Sequence, residues 1–269
     1  AIGKYGFPVG VTVVDINNDG LMDIYISKSG KIDNLNHLKN ELLVNQGINN
    51  KGVPIFKEMA KEYQLDLPYN SIQAEFFDFD LDDDLDMILI NHRTDFDIDD
   101  ELEKLMLERS ENGGEKLYRN DNGKFVDVTA ISGIKNSAIG FTLGVSVGDV
   151  NNDGWPDIFT GNDFFEKDRL YLNNRDGTFE EVSLESFGHI SQFSMGSDMA
   201  DLNNDGFIDI VAVDMTAKDN YTNKTSMSGM NVEKFNSIEL DLHSSKLFRS
   251  DLRKDWFIYH HLLDPFACV

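Results

Sequence analysis

Four short stretches of this chain carry carboxylates and amides at a spacing that suits a bound metal ion. They are DINNDGLMD from Asp15, DFDLDDDLD from Asp78, DVNNDGWPD from Asp149 and DLNNDGFID from Asp201. Each reads Asp, any residue, Asn or Asp, any residue, Asp, then a sixth position that is usually Gly, two residues, and a last Asp. Acidic or amide side chains at alternate positions of a tight turn can all point at one centre. Ca2+ wants such a cage, because it takes six to eight oxygens at roughly 2.3–2.6 Å in flexible geometry. In the first loop the side-chain ligands would be Asp15, Asn17, Asp19 and Asp23, with the carbonyl of Leu21. The equivalents are Asp78, Asp80, Asp82 and Asp86 with the carbonyl of Asp84. They continue with Asp149, Asn151, Asp153 and Asp157 with that of Trp155, and Asp201, Asn203, Asp205 and Asp209 with that of Phe207. Up to four Ca2+ ions are expected, one per loop.

Rival ions and loops fit less well. Mg2+ demands a stricter octahedron and holds its waters, and loops without thiolate or imidazole do not suit softer transition metals. An EF-hand loop begins alike but needs a bidentate Glu at its twelfth position and helices on both sides. The twelfth residues here are Ile26, Leu89, Thr160 and Ala212. The second loop departs from the others by placing Asp83 where they have Gly, so it is expected to bind with distorted geometry. Asp enters left-handed backbone more readily than most residues, but at a cost.

A lone acidic turn would be ordinary, since Asp, Asn and Gly are the common turn residues. Four with one spacing, starting 63, 71 and 52 residues apart, define a repeated supersecondary unit. The elements that position them read as strands. Short stretches at 9–14, 74–77, 144–147 and 196–200 precede the loops, and DIYIS, DMILI, DIFTG and DIVAVD follow them. Branched and aromatic residues between turn signals favour a pleated surface, so each loop is the tip of a β-hairpin. A second hairpin follows in three units: NELLVNQG with PIFKEMA, EKLYRNDNG with KFVDVTA, and DRLYLNNRDG with TFEEVS. Gly and Asn in NDNG and NRDG can take the positive φ these turns need. Four strands in 50 to 70 residues correspond to a propeller blade. The fold expected is therefore all-β, a partial β-propeller of about 3.5 four-stranded blades. The blades run at approximately 5–65, 70–132, 138–186 and 190–235, with an atypical tail at 236–269. Leu102, Leu105, Met106 and Arg109 recur at helical spacing behind a cluster of acids, which predicts a short helical insertion over 97–110, capped by Asp97 or Asp99.

Composition narrows the function. The 269 residues hold 24 Lys and Arg against 48 Asp and Glu, a formal charge of −24. Nucleic acid needs cationic partners, and so do anionic membrane surfaces, so neither is expected. Four divalent ions would bring +8 and leave −16 of that −24. No apolar run is long enough to span a bilayer, so no membrane insertion is expected. The single cysteine, Cys268, precludes intrachain disulfides and Cys-based zinc sites within these residues.

The loops with their flanking strands resemble the FG-GAP and VCBS repeats of integrin-like β-propellers. The text NELLVNQG…PIFKEMAKEYQLD, QAEFFDFDLDDDLDMILINH, KLYRNDNGKFVDVTAISGI and GVSVGDVNNDGWPDIFTGNDF is most similar to the repeat region of bacterial ASPIC/UnbV proteins, relatives of cartilage acidic protein. The resemblance spans about residues 5 to 235. It implies a secreted or cell-envelope scaffold, stiffened by calcium and active in adhesion or in binding a protein or glycan, not in catalysis. Such propellers close with about seven blades, so the remaining blades are expected from flanking sequence. After about Phe235 the text carries no hairpin signal and no acidic loop, and it reads as a terminal helix or as sequence from a shifted frame.

The alternative is a propeller-based polysaccharide lyase or hydrolase. LINHRTDFD sets His92 and Arg93 beside Asp95 and Asp97, where a carboxylate–His pair could exchange protons. Solvated loop clusters of this kind are common without catalysis. SKSGK at 27–31 is too short for a phosphate loop, and neither G-x-S-x-G nor H-E-x-x-H occurs. NYT and NKT at 220–225 fit the glycosylation sequon, and Trp155 and Trp256 could stack on sugars, although Trp155 sits inside a metal loop where packing the hairpin tip suffices.

Overall fold

Strands flank every acidic loop, and they extend slightly beyond the apolar runs that announce them. A computed structural model describes residues 6–30, 35–92, 108–163, 166–187, 190–191, 194–214 and 258–259. The first sheet comprises β1 (Phe7–Val14), β2 (Asp23–Ser29), β3 (Glu41–Ile48) and β4 (Pro54–Glu58). The second holds β5 (Ser71–Phe77), β6 (Asp86–Asn91), β7 (Gly114–Asn120) and β8 (Phe125–Asp127). The third holds β9 (Thr142–Gly148), β10 (Asp157–Asn162), β11 (Arg169–Asn173) and β12 (Phe179–Glu181). In all three the spatial order is the chain order and every pairing is antiparallel. The fourth differs: β13 (Ser194–Ala200) and β14 (Asp209–Asp214) form a hairpin, and β15 (Ile258–Tyr259) lies parallel to Ile210–Val211. Helix among the described residues amounts to α1 (Ala60–Tyr63), α2 (Ser183–Ser186) and a 3-10 turn at Leu35–His37.

The sheets stack face to face, because alternate residues of each strand point to opposite sides. In β6, Met87 and Leu89 join Tyr25, Leu42 and Val44 of the first sheet. Their neighbours Ile88 and Ile90 join Val145, Ile158 and Tyr171 of the third. In β10, Ile158 faces the second sheet while Phe159 packs with Leu170, Ile210 and Ala212 toward the fourth. Every interior sheet thus contributes to two cores, and the near-continuous apolar runs of the second strands follow from burial on both faces. The first strands lie side by side. Thr12 donates its hydroxyl to the Ala74 carbonyl at 2.6 Å, Gln73 donates its amide to the Val145 carbonyl at 3.4 Å, and the Ser146 and Ser197 hydroxyls meet at 3.2 Å. Backbone approaches closely here: a Cβ on Gly10 would stand 2.2 Å from the Ile72 carbonyl oxygen, and one on Gly144 2.7 Å from the Ser197 nitrogen. This stacking of sheets is propeller-like. On β1 the residues Phe7, Val9, Val11 and Val13 are exposed. Phe76, Val147 and Met199, at the position of Val13 in the next three sheets, are packed against the core toward the preceding sheet.

The predicted helix over 97–110 falls mostly on residues 93–107, outside the described set. Its end is corrected. The Ser110 amide donates to the Asn136 carbonyl at 3.1 Å and the Ala138 amide to the Glu108 carbonyl at 3.0 Å, around a bridge from Arg109 to Ser137. These groups pair with a neighbouring segment and are not available to a helix ladder. Residues 258–259 form a short strand where the sequence suggests a terminal helix or foreign text. The rest of the tail lies outside the described residues.

Candidate metal centres

All twenty predicted ligand residues lie at the tips of the first hairpins, β1–β2, β5–β6, β9–β10 and β13–β14. The first Asp of each loop folds the turn by accepting two backbone amides. Asp15 takes Asp19 at 3.0 Å and Gly20 at 2.7 Å, and Asp149 takes Asp153 at 2.9 Å and Gly154 at 2.7 Å. Asp78 and Asp201 repeat this with Asp82 and Asp83, and with Asp205 and Gly206. The fifth-position Asp then accepts the amide two residues on, that of Leu21, Asp84, Trp155 or Phe207. These bonds order all four turns, but among the described residues only the second loop brings three carboxylates within 4.8 Å of one another. The bonds occupy only part of each oxygen's accepting capacity, so the donor set remains all-oxygen and anionic, as a hard cation requires.

Two positions in each loop need left-handed backbone. The sixth has φ of +83° at Gly20, +88° at Gly154 and +89° at Gly206, and Asp83 adopts +73°. The fourth is left-handed too, at Asn18, Asn152 and Asn204, with Leu81 at +57° in the second loop. Asn accepts this conformation at low cost, whereas Leu does not. The second loop therefore holds both strained positions. Nothing lies within 4 Å of a Cβ built on Gly20, Gly154 or Gly206, so a side chain at this position of those loops meets open space and its cost lies in the backbone. Asp83→Gly should accordingly stabilise the protein by about 1 kcal/mol. A rise of a few degrees in the chelator-treated melting midpoint checks this, and a fall would contradict it.

That same loop concentrates the charge. One oxygen from each of Asp78, Asp80 and Asp86 lies within 4.8 Å of the others. Asp80 Oδ1 and Asp84 Oδ1 are buried without a hydrogen-bond partner. Burial, then neighbouring Asp82, pushes the Asp84 carboxyl up to about 6, and Asp80 is raised by burial, Asp82 and Asp78. A divalent cation would satisfy these orphaned oxygens and neutralise their repulsion, so the residues fit Ca2+. In the third loop a cation is already in attendance: the half-exposed Arg175 side chain donates to Asp153 Oδ2 at 2.9 Å. Burial opposes ionisation of Asp153, but the Arg175 contact and the Trp155 amide outweigh it and hold its carboxyl below the usual range.

The last Asp has a second task that the motif alone does not disclose. Asp23, Asp86 and Asp157 are fully buried. Each gives one oxygen to the amide just after the loop's start, Ile16 at 3.1 Å, Phe79 at 3.0 Å or Val150 at 3.0 Å. The other oxygen takes a third-strand amide, Asn45 at 2.7 Å, Asn120 at 2.8 Å or Asn173 at 2.8 Å. That Asn answers with its side chain, donating Nδ2 to the carbonyl of Met22, Leu85 or Pro156, and its Oδ1 accepts the amide of Gly47, Gly123 or Arg175 shortly after it in the chain. Sequence reasoning missed these asparagines. Their signal is Leu-x-x-Asn, repeated as LLVN, LYRN and LYLN. Burial raises all three carboxyls against the opposing amide bonds, Asp86 up to about 8 and Asp157 up to about 6.

His92, the proton-transfer candidate, is part-buried. Its Nε2 lies 2.8 Å from the Thr142 carbonyl and its ring packs on Phe141, and burial pulls its pKa down. Arg93, Asp95 and Asp97 lie outside the described residues. Trp155 lines a cleft between the second and third loops with Asp80, Arg119, Ile131 and Arg175.

A family model described as FG-GAP-like repeat matches residues 95–160 and again 149–212. The matches take in the third and fourth acidic loops and support an FG-GAP-like repeat protein, in agreement with the all-β, propeller-like stacking of sheets. No curated protein matches the chain.

Proposed function

We propose that this chain is a calcium-stabilised repeat scaffold of a secreted or cell-surface protein, akin to the ASPIC/UnbV repeat region, that binds a protein or glycan and catalyses no reaction. The convergence of Asp78, Asp80 and Asp86 beside orphaned buried oxygens carries the reading, since exposed turns without a ligand role have no reason to bury unpaired carboxylates. The fourfold recurrence of the same turn extends it to Asp15, Asp149 and Asp201 and their partners. Extracellular calcium modules bind at roughly 10⁻⁴–10⁻³ M, which suits loops at exposed hairpin tips outside the cytosol. Each ion would fasten a hairpin whose last Asp also ties the third strand, so calcium rigidifies the sheets whose edges and loops meet a partner.

Calorimetric titration of the metal-stripped chain with CaCl2 tests this. Binding of up to four ions is expected, with two fewer in an Asp19→Ala, Asp153→Ala variant. Absence of saturable binding would overturn the proposal.

A further inference from the structure

The fourth sheet contains an unfinished version of the bond that ties each loop to a third strand. Asp209 is 1% exposed, and its Oδ2 accepts the Leu202 amide at 3.0 Å, as in the other three loops. Its Oδ1 is buried with no hydrogen-bond partner. In the first three sheets the corresponding oxygen takes the amide of Asn45, Asn120 or Asn173. The strand beside β14 is β15, which pairs only Ile258 with Ile210 and Tyr259 with Val211, and runs parallel where the other third strands run antiparallel. With this strand in place, Asp209 Oδ1 accepts no hydrogen bond. No Leu-x-x-Asn occurs between residues 210 and 269. A second copy is no donor either, because its β3, β7 and β11 are each paired on both sides.

From these observations we infer that the outer edge of β14 is an acceptor site for an antiparallel β-strand of the type Leu-x-x-Asn, supplied by a polypeptide segment outside residues 1–269. The third sheet sets the register, with Ile158 opposite Tyr171, Phe159 opposite Leu170 and Thr160 opposite Arg169. The incoming strand therefore pairs its Leu with Val211 and the preceding residue with Ala212, and displaces β15. Its Asn amide donates to Asp209 Oδ1, and its Asn Nδ2 donates to the Ile208 carbonyl. Backbone pairing supplies affinity and the buried Asp209 supplies specificity, as in recognition by strand addition. A buried acceptor left without a donor carries a desolvation cost, so filling this position is favoured over leaving it empty.

The test uses the full chain in saturating CaCl2 and a fluorescent peptide copying residues 168–183, DRLYLNNRDGTFEEVS. Saturable binding by anisotropy is expected, with slowed amide exchange at residues 210–212. A peptide carrying Asn173→Pro loses the amide proton and should bind roughly 10- to 100-fold more weakly. Asn173→Ala, which loses only the side-chain bond, should fall between the two. Neither peptide change touches the folding of the protein. Lack of saturable binding would overturn the inference, as would equal affinity of the native and Asn173→Pro peptides or protection elsewhere than β14.

Discussion

Asp157→Ala is expected to lower the unfolding free energy by about 3–5 kcal/mol, measured by urea denaturation in chelator at pH 5. The substitution leaves the amides of Val150 and Asn173 without acceptors, and both residues are almost fully buried. Each orphaned buried group costs about 1–3 kcal/mol, which is a large part of the roughly 5–15 kcal/mol that holds a typical domain together. The two bonds join the loop to its own strand and to β11, so the hairpin tip and the third strand loosen together. An opposing effect grows with pH. Burial pushes the Asp157 carboxyl up to about 6, so at pH 8 the alanine also removes an unfavourable buried charge. The loss should therefore be smaller at pH 8 than at pH 5. A loss below about 1 kcal/mol at both pH values would mean that the tie between loop and third strand is not a principal support of the sheet.

The second large effect concerns pH itself. Asp86 is raised to about 8 by burial, against the amides of Asn120 and Phe79 and with help from Asp80 and Asp84. A carboxyl with a raised folded-state pKa binds its proton more tightly in the native state. Stability therefore falls as pH rises, from the unfolded value toward the folded one. Asp23 and Glu115, both raised chiefly by burial, act in the same direction. Glu181, lowered to about 2 by Lys135 and Ser183 against burial, acts only below pH 5. His92, lowered by burial, opposes the trend only below its ordinary value of 6.5. In the window from pH 6.5 to 8 the metal-free protein should thus lose stability as pH rises. Because a divalent ion binds the ionised carboxylates, calcium should abolish or reverse that slope and release protons as it binds.

Much of this was legible in the sequence, for physical reasons that can be named. The loops show because metal chemistry constrains residue type at fixed spacing, and the strands Asp23–Ser29, Asp86–Asn91 and Asp157–Asn162 show because burial on two faces demands unbroken apolar runs. Asp83 was expected to stand in left-handed backbone, and it does. Leu81 was not, since nothing in its type announces φ of +57°; the three asparagines at its equivalent positions were the available sign. The role of Asn45, Asn120 and Asn173 depends on contacts 16 to 34 residues away and surfaces only when the second hairpins are aligned with one another. Least visible is the buried cluster at the far ends of these sheets, where Arg169 donates to Glu115 at 3.2 Å and to Glu166 at 2.5 Å. In sequence these look like three solvated charges, because a separation of 54 positions between Glu115 and Arg169 conceals their contact.

Thermal unfolding at pH 8, with excess CaCl2 and then with chelator, bears most directly on whether the four loops hold ions. A ligand that binds only the folded chain stabilises it by about 2.7 kcal/mol per site at a hundredfold excess over its dissociation constant. Several filled loops should therefore raise the midpoint by about 10 °C or more, with a smaller rise in the Asp19→Ala, Asp153→Ala variant. Superimposable curves with calcium and with chelator would contradict the calcium scaffold and leave the four loops as acidic turns.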